Sequence, residues 1–108
     1  DDNWAGYGGA IYLAGYENVI PNCTFENNYA YSSSGGAIYI NHRDNTIDNC
    51  TFINNRANKN GGAIVMAYKG GIVNNSRFIK NHAEEYYGGA IYSEYYSDYD
   101  DTYLIYIE

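Results

Sequence analysis

Positive charge is scarce in this 108-residue chain: six Lys and Arg stand against 13 Asp and Glu, for a net charge of −7. That balance leaves no basic stripe to neutralise phosphates, so nucleic acid is not an expected partner. All six cations fall between Arg43 and Lys80, which leaves both ends acidic. No apolar run approaches membrane-spanning length and no secretory leader pattern is present, so no membrane span is expected. Helical periodicity is missing too, since no 3.6-residue recurrence survives along the chain. Proline and tryptophan occur once each and phenylalanine three times. Two cysteines, Cys23 and Cys50, are too few to indicate a redox compartment. The abrupt start at Asp1-Asp2 suggests a mature or excised piece of something longer.

What the chain does contain is 15 Tyr, 15 Asn and 12 Gly, and they recur in phase. The phrase GGAIY occupies Gly8–Tyr12, Gly35–Tyr39 and Gly88–Tyr92, with GGAIV at Gly61–Val65, at spacings of 27, 26 and 27 residues. A second phrase keeps step: Cys23-Thr-Phe-Glu-Asn-Asn28, Cys50-Thr-Phe-Ile-Asn-Asn55 and Ser76-Arg-Phe-Ile-Lys-Asn81. Two unrelated phrases locked to one period mean one structural unit repeated along the chain. Units this short usually stack and seldom catalyse.

Alignment on Phe25, Phe52 and Phe78 brings other columns into line: Ile20, Ile47 and Val73; Asn22, Asn49 and Asn75; Asn28, Asn55 and Asn81; Ala30, Ala57 and Ala83. Each unit holds two apolar stretches, GGAIYx and IxNCTFx, which read as strands of about five residues alternating with period two. The expected fold is all-β: a right-handed parallel β-helix of about four coils of 26–28 residues. It forms a single domain over 1–108, with coils near 3–27, 28–54, 55–80 and 81–108. Ile11, Ile38, Ile64 and Ile91 should stack inward, joined by Leu13, Ile40 and Met66. The three phenylalanines should form an internal aromatic stack. Asn28, Asn55 and Asn81 should hydrogen-bond up and down as an amide ladder.

The GGAI phrase paired with FxxN, at Phe25–Asn28, Phe52–Asn55 and Phe78–Asn81, resembles the repeat of polymorphic outer-membrane proteins and of adhesin-like surface proteins of bacteria and methanogenic archaea. The resemblance spans Asn3 to about Ser93. It implies an extracellular or surface-displayed parallel β-helix serving in adhesion or cell-envelope structure.

Candidate chemistry is sparse, and an enzyme is not expected. Asp98, Asp100 and Asp101, with Glu94 nearby, form the only dense carboxylate set. They can supply oxygen ligands to calcium, although a solvated loop at the break in the period is the simpler reading. No other cofactor is expected. His42 and His82 fall in different columns without partners at metal-ligand spacing and read as surface residues. Cys23 and Cys50 share a column with Ser76 and read as free, buried thiols. Sequons begin at Asn22, Asn49 and Asn74; Asn74 lies one position off the Asn22 column and is the best placed for glycosylation. Tyr12, Tyr39 and Tyr92 should form an outward row interrupted by Val65. That row reads either as β-propensity or as a face for glycans or lateral packing.

The C-terminal stretch places Ile107 where Phe25 sits, and Asp2-Asn3 of another copy would supply the next x-Asn pair. Joined so, the next GG falls 28 residues after Gly88. Neither end carries an evident cap. The expectation is therefore an extracellular protomer continuing head to tail into a fibre, with self as partner. The alternative is a slice of a longer adhesin that binds glycans or host surfaces through its tyrosines.

Overall fold

The computed structural model describes residues 2–68 and 70–93. The first coil carries β1 (Trp4–Ala5), β2 (Ile11–Leu13), β3 (Val19–Pro21) and β4 (Thr24–Glu26). The second repeats them as β5 (Tyr29–Ala30), β6 (Ile38–Ile40), β7 (Thr46–Asp48) and β8 (Thr51–Ile53). The third gives β9 (Arg56–Ala57), β10 (Ile64–Met66), β11 (Ile72–Asn74) and β12 (Arg77–Ile79), followed by β13 (His82–Ala83) and β14 (Ile91–Ser93). Every strand pairs in parallel with its equivalent one coil away, which makes four sheets: β1-β5-β9-β13, β2-β6-β10-β14, β3-β7-β11 and β4-β8-β12. The result is an all-β parallel solenoid.

Each coil therefore has four short faces where the sequence pattern led us to expect two strands of about five residues. The break lies inside IxNCTFx, at Asn22, Asn49 and Asn75, whose φ values are 55°, 55° and 52°. A second corner follows at Asn27, Asn54 and Lys80, with φ of 59°, 54° and 55°. Asparagine tolerates this left-handed region better than other residues with a Cβ, which is why both corners are written in Asn. Lys80 is the exception, a long side chain held in a conformation that suits it poorly. Lys80→Asn should raise stability by about 1 kcal/mol, visible as a higher urea midpoint at unchanged slope.

The glycine pair makes a third corner. Gly35 has φ of 72°, in the region a Cβ disfavours. A Cβ on Gly36, the next residue, would run into the Gly62 carbonyl and the Arg56 backbone of the following coil. The pair thus lets the chain pass against the backbone of its neighbour. The remaining arc is stapled by Asn45, itself buried. Its Oδ1 accepts the Asn18 N–H at 2.9 Å, and its Nδ2 donates to the carbonyls of Gly15, His42 and Arg43.

The core is a set of registered columns. Ile11, Ile38, Ile64 and Ile91 are consecutive Cα partners; Ile38 and Ile64 are fully buried, and the outer two pack against the core while half-buried. Leu13, Ile40 and Met66 form the next inward column, and Ile20, Ile47 and Val73 face them from the neighbouring sheet. Each fully buried isoleucine contributes about 1.5–3 kcal/mol through its apolar area.

Candidate interaction faces and the ladders beneath them

The phenylalanine column is continuous. Phe25 and Phe52 stack at 5.0 Å between centroids and 7° between planes, and Phe52 and Phe78 at 4.9 Å and 3°. Beside it runs the amide ladder. Asn3 and Asn28 each send both the backbone N–H and Nδ2 to the Oδ1 of the asparagine one coil on, at 3.0–3.1 Å, and Asn55 does the same toward Asn81 at 2.9 Å. The spare amide hydrogens are used too, as Asn55 Nδ2 donates to the Phe25 carbonyl and Asn81 Nδ2 to the Phe52 carbonyl, both at 2.9 Å. Among the described residues no buried side-chain nitrogen or oxygen lacks a partner. These residues build the frame that aims the outward ones.

Cys23, Cys50 and Ser76 occupy the inner side of the first asparagine corner, and each donates to the carbonyl two residues back: Pro21 at 3.1 Å, Asp48 at 3.4 Å and Asn74 at 2.9 Å. The column therefore needs a small donor, which thiol and hydroxyl both supply. Both thiols are free. Cys50 is buried, but Cys23 is only half-buried, because β3 and β4 are the outermost strands of their sheets. Burial pushes the Cys50 thiol above its ordinary pKa. Alkylation at neutral pH should consequently label Cys23 well before Cys50, read by peptide mass mapping. Above the ordinary thiol range the unfolded chain loses the Cys50 proton before the folded one does. This contribution to stability therefore falls as pH rises.

Asn22 and Asn49 also form a rung, Asn49 Nδ2 to Asn22 Oδ1 at 2.7 Å, on the exposed side of the corner. Asn74 sits half-buried on β11. The hydroxyl its sequon depends on, that of Ser76, is fully enclosed between the Asn74 carbonyl and the Cys50 N–H.

Outward residues of β2, β6, β10 and β14 form the tyrosine face: Tyr12, Tyr39, Val65 and Tyr92 in register. Tyr12 and Tyr39 lie parallel at 5.4 Å and 2°, and Tyr7 crosses both edge-on at 6.0 and 5.1 Å. Asn41 Nδ2 donates to the Tyr12 hydroxyl at 2.8 Å. At the other end Tyr87 approaches Tyr92 at 6.4 Å. The row is unevenly exposed: Tyr12 is exposed, while Tyr39 and Tyr92 are half-buried. Val65, which alternation points outward, is fully buried between its tyrosine neighbours. The face is partly a second apolar layer.

Two further columns stand outside. Trp4, Tyr29, Arg56 and His82 are register partners on the first sheet. Trp4 meets Tyr29 edge-on at 5.8 Å, the Arg56 guanidinium lies 4.0 Å from the Tyr29 ring centroid, and Arg56 pairs with Glu84 at 3.1 Å. The other column was not visible in the sequence columns. His42, expected as an isolated surface residue, is half-buried between Tyr16 at 5.0 Å and Tyr68 at 6.0 Å, with Arg43 over the Tyr16 ring at 4.8 Å. Its signal is the equal spacing of 26 residues from Tyr16 to His42 and from His42 to Tyr68.

Among the described residues no group of three His, Cys, Asp or Glu side chains gathers closely enough to hold a metal, and no helix is long and apolar enough to cross a membrane. The candidate calcium ligands Asp98, Asp100 and Asp101, with Glu94, lie outside the described residues. In comparisons with known proteins, residues 2–103 match the family described as a right handed beta helix region. No curated protein and no solved structure matches the chain.

Proposed function

Because this chain belongs to the right-handed β-helix family, we propose that it is an extracellular structural element of a cell surface, a solenoid protomer that joins head to tail into a fibre. The observation that carries this reading is the first coil's in-phase outer edge. Asp2 adopts φ of 53° in the corner position of Asn27, and its N–H reaches the Glu26 carbonyl as that of Asn27 reaches Ile53. Asn3 extends the amide ladder by one rung. A coil added beyond β1–β4 would meet the same pattern of columns that neighbouring coils meet inside the protein. Trp4 at 73% and Val19 at 61% exposure stand on that edge. Carboxylates meeting at such a junction repel, and calcium would offset them. Negative-stain electron microscopy of the purified chain, with and without calcium, tests this: filaments are expected, and scattered monomers in both conditions would refute it.

A second reading, an adhesin module of a longer surface protein of the outer-membrane or adhesin-like kind, is favoured by the cluster that the exposed Tyr7 and Tyr12 make with the half-buried Tyr39. Aromatic rings of this sort suit glycan stacking. Replacing Tyr39 and Tyr92 should then abolish binding on a glycan array while leaving the circular dichroism unchanged. The family includes enzymes as well as non-enzymes, and we place this chain among the latter. Turnover of acidic glycans in the presence of calcium would reverse that placement.

A further inference from the structure

Tyr12 and Tyr39 are Cα partners on adjacent strands, with parallel rings 5.4 Å apart. The 2° interplanar angle between register-paired residues holds the two phenols alongside each other with the same orientation of their planes. Tyr7 lies across both rings at 80° and 79° and restricts their turning. Tyr12 is 50% exposed, which gives an oxidant access to the pair. Tyr7 comes closer to Tyr39, at 5.1 Å, and lies 6.0 Å from Tyr12, but it meets both edge-on rather than in parallel, and the remaining aromatic pairs are farther apart or more steeply inclined. Tyr87 and Tyr92 stand 6.4 Å apart at 19°, Tyr86 and Tyr87 6.5 Å apart at 36°, and Trp4 meets Tyr29 at 85°. The two cysteines, also one coil apart, remain free and make no covalent link between coils.

We propose that Tyr12 and Tyr39 are a site of oxidative cross-linking, forming an intramolecular dityrosine that staples the first two coils. The oxidant is hydrogen peroxide acting through a haem peroxidase. Each phenol gives up one electron and its hydroxyl proton and becomes a phenoxyl radical. The peroxide takes both electrons and both protons, its O–O bond breaks, and two waters leave. The radicals join through a carbon ortho to each oxygen, forming one C–C bond. Each of those carbons then passes its hydrogen to the phenolic oxygen as the ring regains aromaticity. The net change is the loss of two hydrogen atoms from the protein. Nothing in this step requires assembly or glycan binding, so it stands apart from both functional readings.

The test mixes equal amounts of ordinary and isotopically labelled 108-residue chain and treats them briefly with peroxidase and peroxide. Dityrosine fluorescence is recorded and the cross-linked peptides are mapped by mass spectrometry. The expected product joins the Tyr12 and Tyr39 peptides, is lighter by two hydrogens, and contains no mixed-label pairs. Prior unfolding in urea should remove the preference for this pair. Tyr39→Phe, with unchanged circular dichroism, should remove most of the early fluorescence, whereas Tyr92→Phe should leave it. A dominant link elsewhere, mixed-label products at the statistical proportion, or full fluorescence in Tyr39→Phe would each overturn the proposal. The peptide map of the unaltered chain decides the matter even if a variant misfolds.

Discussion

Replacing Asn55 by alanine is expected to lower the unfolding free energy by about 3–5 kcal/mol, since each buried polar group stripped of its partner costs about 1–3 kcal/mol. Asn55 is fully buried, and its amide serves three neighbours. Its Oδ1 accepts both the N–H and the Nδ2 of Asn28, and its Nδ2 donates to Asn81 and to the Phe25 carbonyl. Alanine strands the Asn28 donors and the Phe25 carbonyl in a space closed to water. Asn55→Asp should be at least as damaging although its shape is the same, because an acceptor replaces the Nδ2 donor and faces the Asn81 Oδ1. Asn3→Ala, at the exposed outer rung, should cost about 1 kcal/mol or less. Urea unfolding of the three variants checks the order. Equal losses at Asn3 and Asn55 would mean that the ladder contributes little as hydrogen bonding.

Phe52→Ala should cost a comparable amount, about 3–5 kcal/mol, the range for emptying a buried aromatic site. The ring is fully buried and stacked on both faces, at 5.0 Å to Phe25 and 4.9 Å to Phe78. Its removal leaves a void between two rings that are themselves held by strand register. The cavity therefore closes poorly, and two aromatic contacts worth about 0.5–1.5 kcal/mol each disappear with it. Phe78→Ala removes one such contact from a ring with slight exposure and should be milder. Phe52→Leu, which keeps most of the volume, should lie well below Phe52→Ala.

The inward columns were legible from the sequence because parallel stacking without slippage turns a repeat in the chain into a column in space. The isoleucines, phenylalanines and ladder asparagines needed only the period. The corners were harder, although their trace is there: inward positions run Ile20, Cys23, Phe25, Asn28, Ala30, with steps of three, two, three and two. Each step of three holds a residue at positive φ, Asn22 or Asn27, and so marks a bend within what looks like one strand. Val65 could not be read from alternation, since its burial depends on side chains from neighbouring coils. The Tyr16–His42–Tyr68 column escaped for another reason. Tyr16 and His42 are 26 residues apart where Asn18 and Asn45 keep a spacing of 27, so the loop skews its side chains out of the strand frame.

The outer-membrane and adhesin-like resemblance specifies more than the fold. The family match supports a right-handed β-helix over residues 2–103. The surface role stays with the proposal, because the ladders that make the fold recognisable point inward. Outward residues change from coil to coil, as Trp4, Tyr29, Arg56 and His82 do.

Among the described residues each strand pairs only with its equivalent one coil before or after. Cohesion along the axis is accordingly modular. Splicing a second copy of residues 28–54 after Asn54 should lengthen the rod by one storey without inventing any new kind of contact, and heat resistance should climb with each storey added.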